Sequence, residues 1–459
     1  MSHSSGPEPL ISPTSATAQV TEGRFKRVLG VPSLTLFGLA YMVPLTVFTT
    51  YGIVTQVTGG RVAASYIITL VVMVFTARSY ARMAVAYPFA GSAYVYAQRS
   101  FGGAVGFMAG WALLLDYLFL PMINYLVLGL YLNTSFPAVP PWVWIVLAIA
   151  IVTVLNLIGI VSVARANFVN IAVQVIIIVV FVSLIVASAS GSDVDLLAPF
   201  TGDGTVEGFS TLFAGAAILC LSFLGFDAVS TLSEEAKDST RTVPRAIMIT
   251  TIGAGLLFIL LAYSAQIGFP SNEFGSADTA AFDVVAAVGG QWLTPLFIAG
   301  FVAGAFGSAL TSQASVARIL FAMGRDGVLP RSVFGHLNKR FGTPHVAILV
   351  VSVVSLVAIW IDLNVLASMI SFGALIAFSV VNLSVIKHYY VDRKERAGWS
   401  LVRNLILPLI GFALTVWLWT SLSGLTFLIG GIWLAAGVII LAIATKGFRR
   451  PTPMLDLKE

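Results

Sequence analysis

Charge is what this chain has least of. Lys, Arg, Asp and Glu together make up 10% of its 459 residues, against roughly 25% in a soluble domain. That scarcity excludes an ordinary soluble enzyme or binding module. Cysteine is nearly absent as well. Cys220 stands alone, so no intramolecular disulfide can form, and its place inside an apolar stretch reads as packing rather than as a working thiol. No G-x-x-x-x-G-K-[ST] run occurs, which argues against a nucleotide-driven pump. No cofactor or metal is expected, and the chain reads as a non-enzyme. The opening "MSHSSGPEPLISPTSATAQV" lacks both an apolar core and an early basic cluster, so it is expected to be a disordered tail and not a cleaved signal peptide.

What the chain has is apolar length. Hydrophobic residues make up 58% and the mean hydropathy is +0.95. A helix needs about 20 apolar residues to cross a bilayer. Twelve such stretches are legible, near 31–57, 62–83, 103–131, 142–160, 167–189, 208–233, 246–269, 292–323, 345–361, 365–388, 404–422 and 424–445. The fold class is all-α, a polytopic membrane protein whose partner is the lipid bilayer, with no room for a sizeable soluble domain. The expected organisation is a cytoplasmic tail over 1–27, a transport core over 28–390, a cytoplasmic loop and the last two spans over 391–445, and a second tail over 446–459. Alternate loops hold every Lys and Arg except Arg61, 24 of the 25. By the positive-inside rule those loops and both termini are cytoplasmic, in the inner membrane. The +5 formal charge therefore does not point to nucleic acid. The opposite loops carry Asp193, Asp195, Glu273 and Asp278, either ordinary solvated residues or a mild attraction for cations.

Two of the spans carry helix-breaking residues. The first reads "GLAYMVPLTVFTTYG", where Pro44 removes a backbone donor and crowds the preceding turn. Thr46, Thr49 and Thr50 are placed to satisfy freed carbonyls. The sixth reads "CLSFLGFDAVSTLSEE", with Gly225 and Asp227 in mid-span. Spans one and six are five apart in order, the spacing of a five-plus-five inverted repeat, and broken helices at corresponding positions mark transporter sites.

Two acidic residues lie deep in these apolar runs. Asp116 sits inside "GWALLLDYLFLPMIN" in span three, and Asp227 beside the break in span six. An ionised Asp at a helix centre costs about 2.5–3.5 kcal/mol to insert, yet no basic residue lies deep in any span. Each carboxyl group has two ways out: it takes up a proton, or it meets a cation that comes and goes. The competing reading is a protonated Asp that only bonds a neighbouring helix. Tyr117, Tyr41, Phe223 and Phe226 flank the pair, and aromatic faces attract ammonium groups by about 0.5–2 kcal/mol. Packing is the competing role for these rings. Asn124 and Pro121 read as packing and kink.

The blocks "GLAYMVPLTVF", "AGSAYVYAQ", "LLLDYLFLPMIN", "SFLGFDAVSTLSEE", "ASVARILFAMGRDGVLP" and "FGALIAFSVVNLSV" resemble the bacterial putrescine importers of the amino acid–polyamine–organocation superfamily. The likeness runs over all twelve spans. It implies a LeuT-like fold, proton-coupled uptake of a diamine such as putrescine, and a place for Tyr117 and Asp227 in substrate handling and coupling. One departure agrees with the residue chemistry. Amino acid carriers of this superfamily carry Gly-Ser-Gly at the first break, whose free amides hold the substrate carboxylate. Pro44, Leu45 and Thr46 stand there in this chain, and proline offers no N–H.

The expectation is a secondary importer of putrescine or a related diamine. Asp116, Tyr117, Asp227, Tyr41, Phe223, Pro44, Thr46 and Gly225 form its site, and Asp227 and Asp116 handle the coupling proton. The alternatives are an amino acid importer, coupled to protons or sodium, and a membrane sensor without net transport. Ser308, Thr311, Ser312 and Ser315 of span eight are the residues a sodium site would use, unless they bond their own helix. Glu234 and Glu235 are placed to receive departing cargo or to order the loop after span six.

Overall fold

The computed structural model describes residues 27–447, apart from Val28, Ala90, 159–162, 190–194, 205–207, Asp326, Val328 and 339–340. Residues 1–26 and 448–459 of the expected tails, Asp193, and the basic residues Lys339 and Arg340 lie outside the described residues. Among those described there is no strand, only one isolated bridge pairing Leu29 with Ala236.

Eleven helices among the described residues are long and apolar enough to span a bilayer. In order they are Val31–Thr58, Val62–Ala86, Gly103–Ser135, Pro141–Ile158, Asn170–Ser188, Phe209–Glu235, Ser239–Gly268, Ala277–Phe321, Leu363–Asp392, Trp399–Thr420 and Gly424–Ala444. A twelfth, shorter apolar helix, His345–Ile359, stands ninth in the chain and completes the expected set. It falls short of the usual length of about 20 residues, and its last turn, Leu356–Ile359, tightens into a 3-10 helix.

Burial divides the spans into two classes. Span six is 89% buried over its most apolar window and span twelve only 17%. Spans three, six and ten form the interior, while spans eleven and twelve turn most of their surface outward. The outer pair is nevertheless fixed. Trp111 of span three and Trp433 of span twelve stack at 4.8 Å, and each indole N–H donates to the other's backbone carbonyl, at 2.8 and 2.9 Å. Cys220 is buried, with its Sγ against the Ala216 carbonyl at 3.3 Å, the packing role its surroundings suggested.

Two segments differ from the sequence reading. Ser92–Phe101 is a separate helix, too short to span, packed against span three. The stretch read as an outer loop over 270–291 is largely helical: a helix starting at Ala280 runs to a kink at Gly290, where φ is 68°, and continues as span eight. Its start lies hard against Gly52, where a Cβ would sit 2.3 Å from the Ala277 carbonyl oxygen. The mixed polarity of this stretch and the glycine at its end hide the helical period.

Candidate functional site

Both breaks fall where Pro44 and Gly225 place them. Span one runs as α-helix to Met42, stops at Val43, makes a 3-10 turn over Pro44–Thr46 and resumes at Val47. Val43 holds a left-handed φ of 56°, costly for a β-branched residue. The groups freed by the break are bonded one by one. The Tyr41 carbonyl accepts from Ser308 Oγ of span eight at 3.0 Å. The Thr46 N–H donates to the Val43 carbonyl at 2.8 Å. The Leu45 N–H donates to Gln174 Oε1 of span five at 3.2 Å.

Span six breaks differently. A 3-10 turn over Cys220–Phe223 ends in extended backbone at Leu224, followed by Gly225 at φ 135°, before 3-10 structure resumes over Ala228–Glu235. That φ belongs to glycine alone. The glycine is also pressed against span one, since a Cβ there would lie 2.9 Å from the Gly38 carbonyl oxygen and 3.2 Å from Tyr41 Cβ. Asp227 closes the break from within: its Oδ1 accepts the Gly225 N–H at 3.1 Å, and its Oδ2 accepts the Tyr117 hydroxyl at 3.0 Å.

Part of the sequence-predicted set meets at Asp227: Tyr117 and Gly225 bond it, and Tyr41 packs on Tyr117. Asp116 and Asp227 are 2% and 1% exposed, and neither has an ion-pair partner among the described residues. The two differ in saturation. Both oxygens of Asp227 are engaged, whereas Asp116 Oδ1 is buried with no hydrogen-bond partner. Tyr41 stacks edge-on to Tyr117 at 6.4 Å, and its hydroxyl is likewise buried without a partner. Phe223 goes elsewhere, packing on Tyr66 and Phe258 toward spans two and seven. Its neighbour Phe226 instead joins Tyr80 and Phe378 at 5.5 and 5.2 Å.

Some residues of the site were not singled out from sequence. Tyr80 contributes a ring against Phe226 and a buried, unpartnered hydroxyl. Asn124, read as packing, donates to Ser308 Oγ at 3.1 Å, so it supports the same hydroxyl that holds the first break. Gln174 had no signal beyond being an amide in an apolar helix. The other span-eight hydroxyls bond their own helix: Thr311 to Gly307, Ser312 to Ser308 and Ser315 to Thr311, at 2.7–2.9 Å.

One cavity borders the breaks, and another lies along the start of span one and the end of span six. The smaller, about 20 Å³, is lined by Tyr41, Val43, Thr46, Thr49, Asn124 and Ser308 among others. It has room for a water or two, and neither Asp116 nor Asp227 lines it. The larger, about 360 Å³, lies toward the arginine-rich end and is lined by Phe37, Asn156, Thr311, Ser315, Glu235 and Arg318 among others. Glu235 and Arg318 approach to 4.0 Å on its wall. Two unpaired buried carboxyl groups, aromatic rings and an amide-poor first break make a setting that suits a cation and offers little to an anion.

The chain is 39% identical, over 96% of its length and 98% of the relative's, to the low-affinity putrescine importer PlaP of Escherichia coli K12. It is 25% identical to the branched-chain amino acid permease BcaP of Bacillus subtilis over 91% of this chain, and 26% identical to the methylthioribose transporter of the same organism over 92%. The family model for amino acid permeases matches residues 33–444. With twelve apolar helices, breaks in the first and sixth and that match over nearly its whole length, the chain belongs to the amino acid permease family of the amino acid–polyamine–organocation superfamily, and its fold is the LeuT-like five-plus-five repeat.

Proposed function

We propose that this protein is a secondary importer of putrescine or a related aliphatic diamine, driven by protons and working by alternating access. The observation that carries the reading is the pair of buried carboxyl groups beside the two breaks, with no cation of the protein to match them. A buried carboxylate without a counter-charge is unstable in a low-dielectric interior. An ammonium group supplies the missing charge at one carboxyl group while a proton neutralises the other, and carriage of both in the same direction couples the two fluxes.

In this reading Asp116, with its open oxygen, meets an ammonium group directly. Asp227, held by Gly225 and Tyr117, carries the coupling proton and ties its charge state to the shape of the break. Tyr41 and Tyr117 face the cation with their rings. Pro44, Thr46 and Gly225 shape the passage, and Phe223 supports it from behind. Both termini are cytoplasmic, the larger cavity is the inner vestibule, and Glu235 on its wall attracts departing cargo. The protein moves its substrate unchanged.

Uptake of radiolabelled putrescine into liposomes under imposed gradients tests this. An inward proton gradient is expected to drive accumulation, with amino acids competing poorly. Uptake that ignores pH and follows sodium, or that is displaced by neutral amino acids, overturns it. Orientation is checked with a cysteine at Lys394, an exposed position, in a Cys220→Ser background. It should react in intact cells with permeant thiol reagents only.

A further inference from the structure

The first break leaves three consecutive positions, Pro44, Leu45 and Thr46, of which Thr46, like Val43 just before them, lines the smaller cavity. In a LeuT-like carrier of carboxylated substrates, donors at such a break are what an anion would use. Proline has none, and Thr46 N–H is spent on the Val43 carbonyl. Leu45 N–H is the one donor that the chain's own local structure leaves over.

That donor is held by Gln174, which lies 129 residues away in sequence and is 1% exposed. Its orientation is fixed from both ends. The Ala303 carbonyl of span eight can only accept, so Asn170 presents Nδ2 to it, at 3.1 Å. Asn170 Oδ1 is then left to accept Gln174 Nε2, at 3.1 Å. Gln174 Oε1 is left facing Leu45 N–H, which can only donate. The chain of bonds has one consistent arrangement. Gly304 leaves room for it, since a Cβ there would lie 2.8 Å from Gln174 Nε2 and 3.0 Å from Val43 Cγ1.

We propose that Gln174 sets the class of substrate: by occupying the last free amide of the first break, it denies a carboxylate its donor and so excludes amino acids in favour of diamines. The inference rests on the reading that cargo binds at the breaks. Gln174 touches no cargo. It acts through the backbone at Leu45, which makes it a specificity-determining positioning residue. A buried amide that loses its acceptor is unsatisfied and seeks another, and a carboxylate entering the site is such an acceptor.

The probe pair is putrescine and 4-aminobutyrate, which differs by a carboxylate in place of one ammonium-bearing end. The readout is the ratio of their half-inhibitory concentrations against radiolabelled putrescine in liposomes, a ratio that a general loss of activity leaves unmoved. Gln174→Met keeps the length and apolar volume and removes the amide acceptor. The ratio of 4-aminobutyrate to putrescine is expected to fall by about tenfold or more. Gln174→Glu keeps an oxygen toward Leu45 and is expected to hold the ratio at or above the parent's. A putrescine-selective parent whose Gln174→Met variant keeps the parent's ratio overturns the role of Gln174 alone. So does a Gln174→Glu variant that admits 4-aminobutyrate, which serves if Gln174→Met does not fold. A parent that takes 4-aminobutyrate as readily as putrescine overturns the diamine reading itself, and the role of Gln174 with it.

Discussion

The two breaks occupy corresponding places in the two repeats and are built by opposite means. Break one has a proline and a non-glycine residue at positive φ, and it is held from outside: Ser308 and Gln174 reach in from spans eight and five. Break six has a glycine in a conformation only glycine adopts, and it is held partly from inside by Asp227, two residues along the chain. Where the clamp is a distant neutral side chain, the break can be stable and chemically silent. Where the clamp is the break's own carboxyl group, its charge state and its geometry are one variable. A proton or an ammonium group arriving at Asp227 changes the acceptor that Gly225 and Tyr117 bond to, so the sixth span is the one built to respond.

The largest effect is expected from Gly225→Ala. The φ of 135° costs a non-glycine residue about 1–3 kcal/mol, and the added Cβ meets the Gly38 carbonyl oxygen at 2.9 Å. Uptake should fall below detection and thermal stability in detergent should drop. Near-parental uptake would show that span six does not need this close approach to span one.

Asp116→Asn comes next. The substitution keeps the shape and removes the charge of a group whose Oδ1 already lacks a partner. A charge-assisted hydrogen bond is worth roughly 1.5–3 kcal/mol, so diamine binding should weaken by about tenfold to a hundredfold. Folding should survive, because a neutral amide is cheaper to bury than a carboxylate. Scintillation proximity binding on the purified variant checks this. Parental affinity would reduce Asp116 to a structural residue and leave charge recognition to Asp227.

What the sequence made legible follows from rarity. Asp116, Asp227, Pro44 and Gly225 stand out because each is costly in an apolar helix, and each lies at or beside the breaks. The twelve spans were legible for the same reason, since the bilayer demands long apolar runs. Gln174 was not legible: its meaning lies in a partner 129 residues away, and nothing local distinguishes it from a packing amide. Phe223 shows the opposite case. Its nearness in sequence to the break suggested the site, but its helical position turns it toward Tyr66 and Phe258. The helix before Gly290 escaped because its apolar and polar residues share one short stretch with the loop around them.

Asp227→Asn should separate charge from geometry at break six. The amide oxygen still accepts Gly225 N–H, and the Tyr117 hydroxyl turns from donor to acceptor toward the new NH₂. The break should persist, so diamine affinity should fall by only about two- to tenfold, less than for Asp116→Asn. The proton coupling should go: uptake in liposomes should lose its response to an imposed pH gradient. An Asp227→Asn variant whose putrescine uptake still follows an inward proton gradient would move the coupling role to Asp116.

The smallest effect is expected at the matching position of break one. Val43→Gly removes the strain of a β-branched residue at φ 56°, about 1–3 kcal/mol in its favour. Against this stand about 0.5–1 kcal/mol of added chain entropy and about 1.5–3 kcal/mol of lost burial. The opposing contributions are of similar size, so stability should change by no more than about 3 kcal/mol. Transport should persist, because the break is positioned by Pro44 and by the bonds from Ser308 and Gln174, none of which involves the Val43 side chain. Thermal unfolding in detergent, read beside liposome uptake, measures both. If Val43→Gly abolishes uptake as Gly225→Ala does, then break one is shaped by its own residue after all, and the contrast between an externally clamped break and a self-clamped one fails.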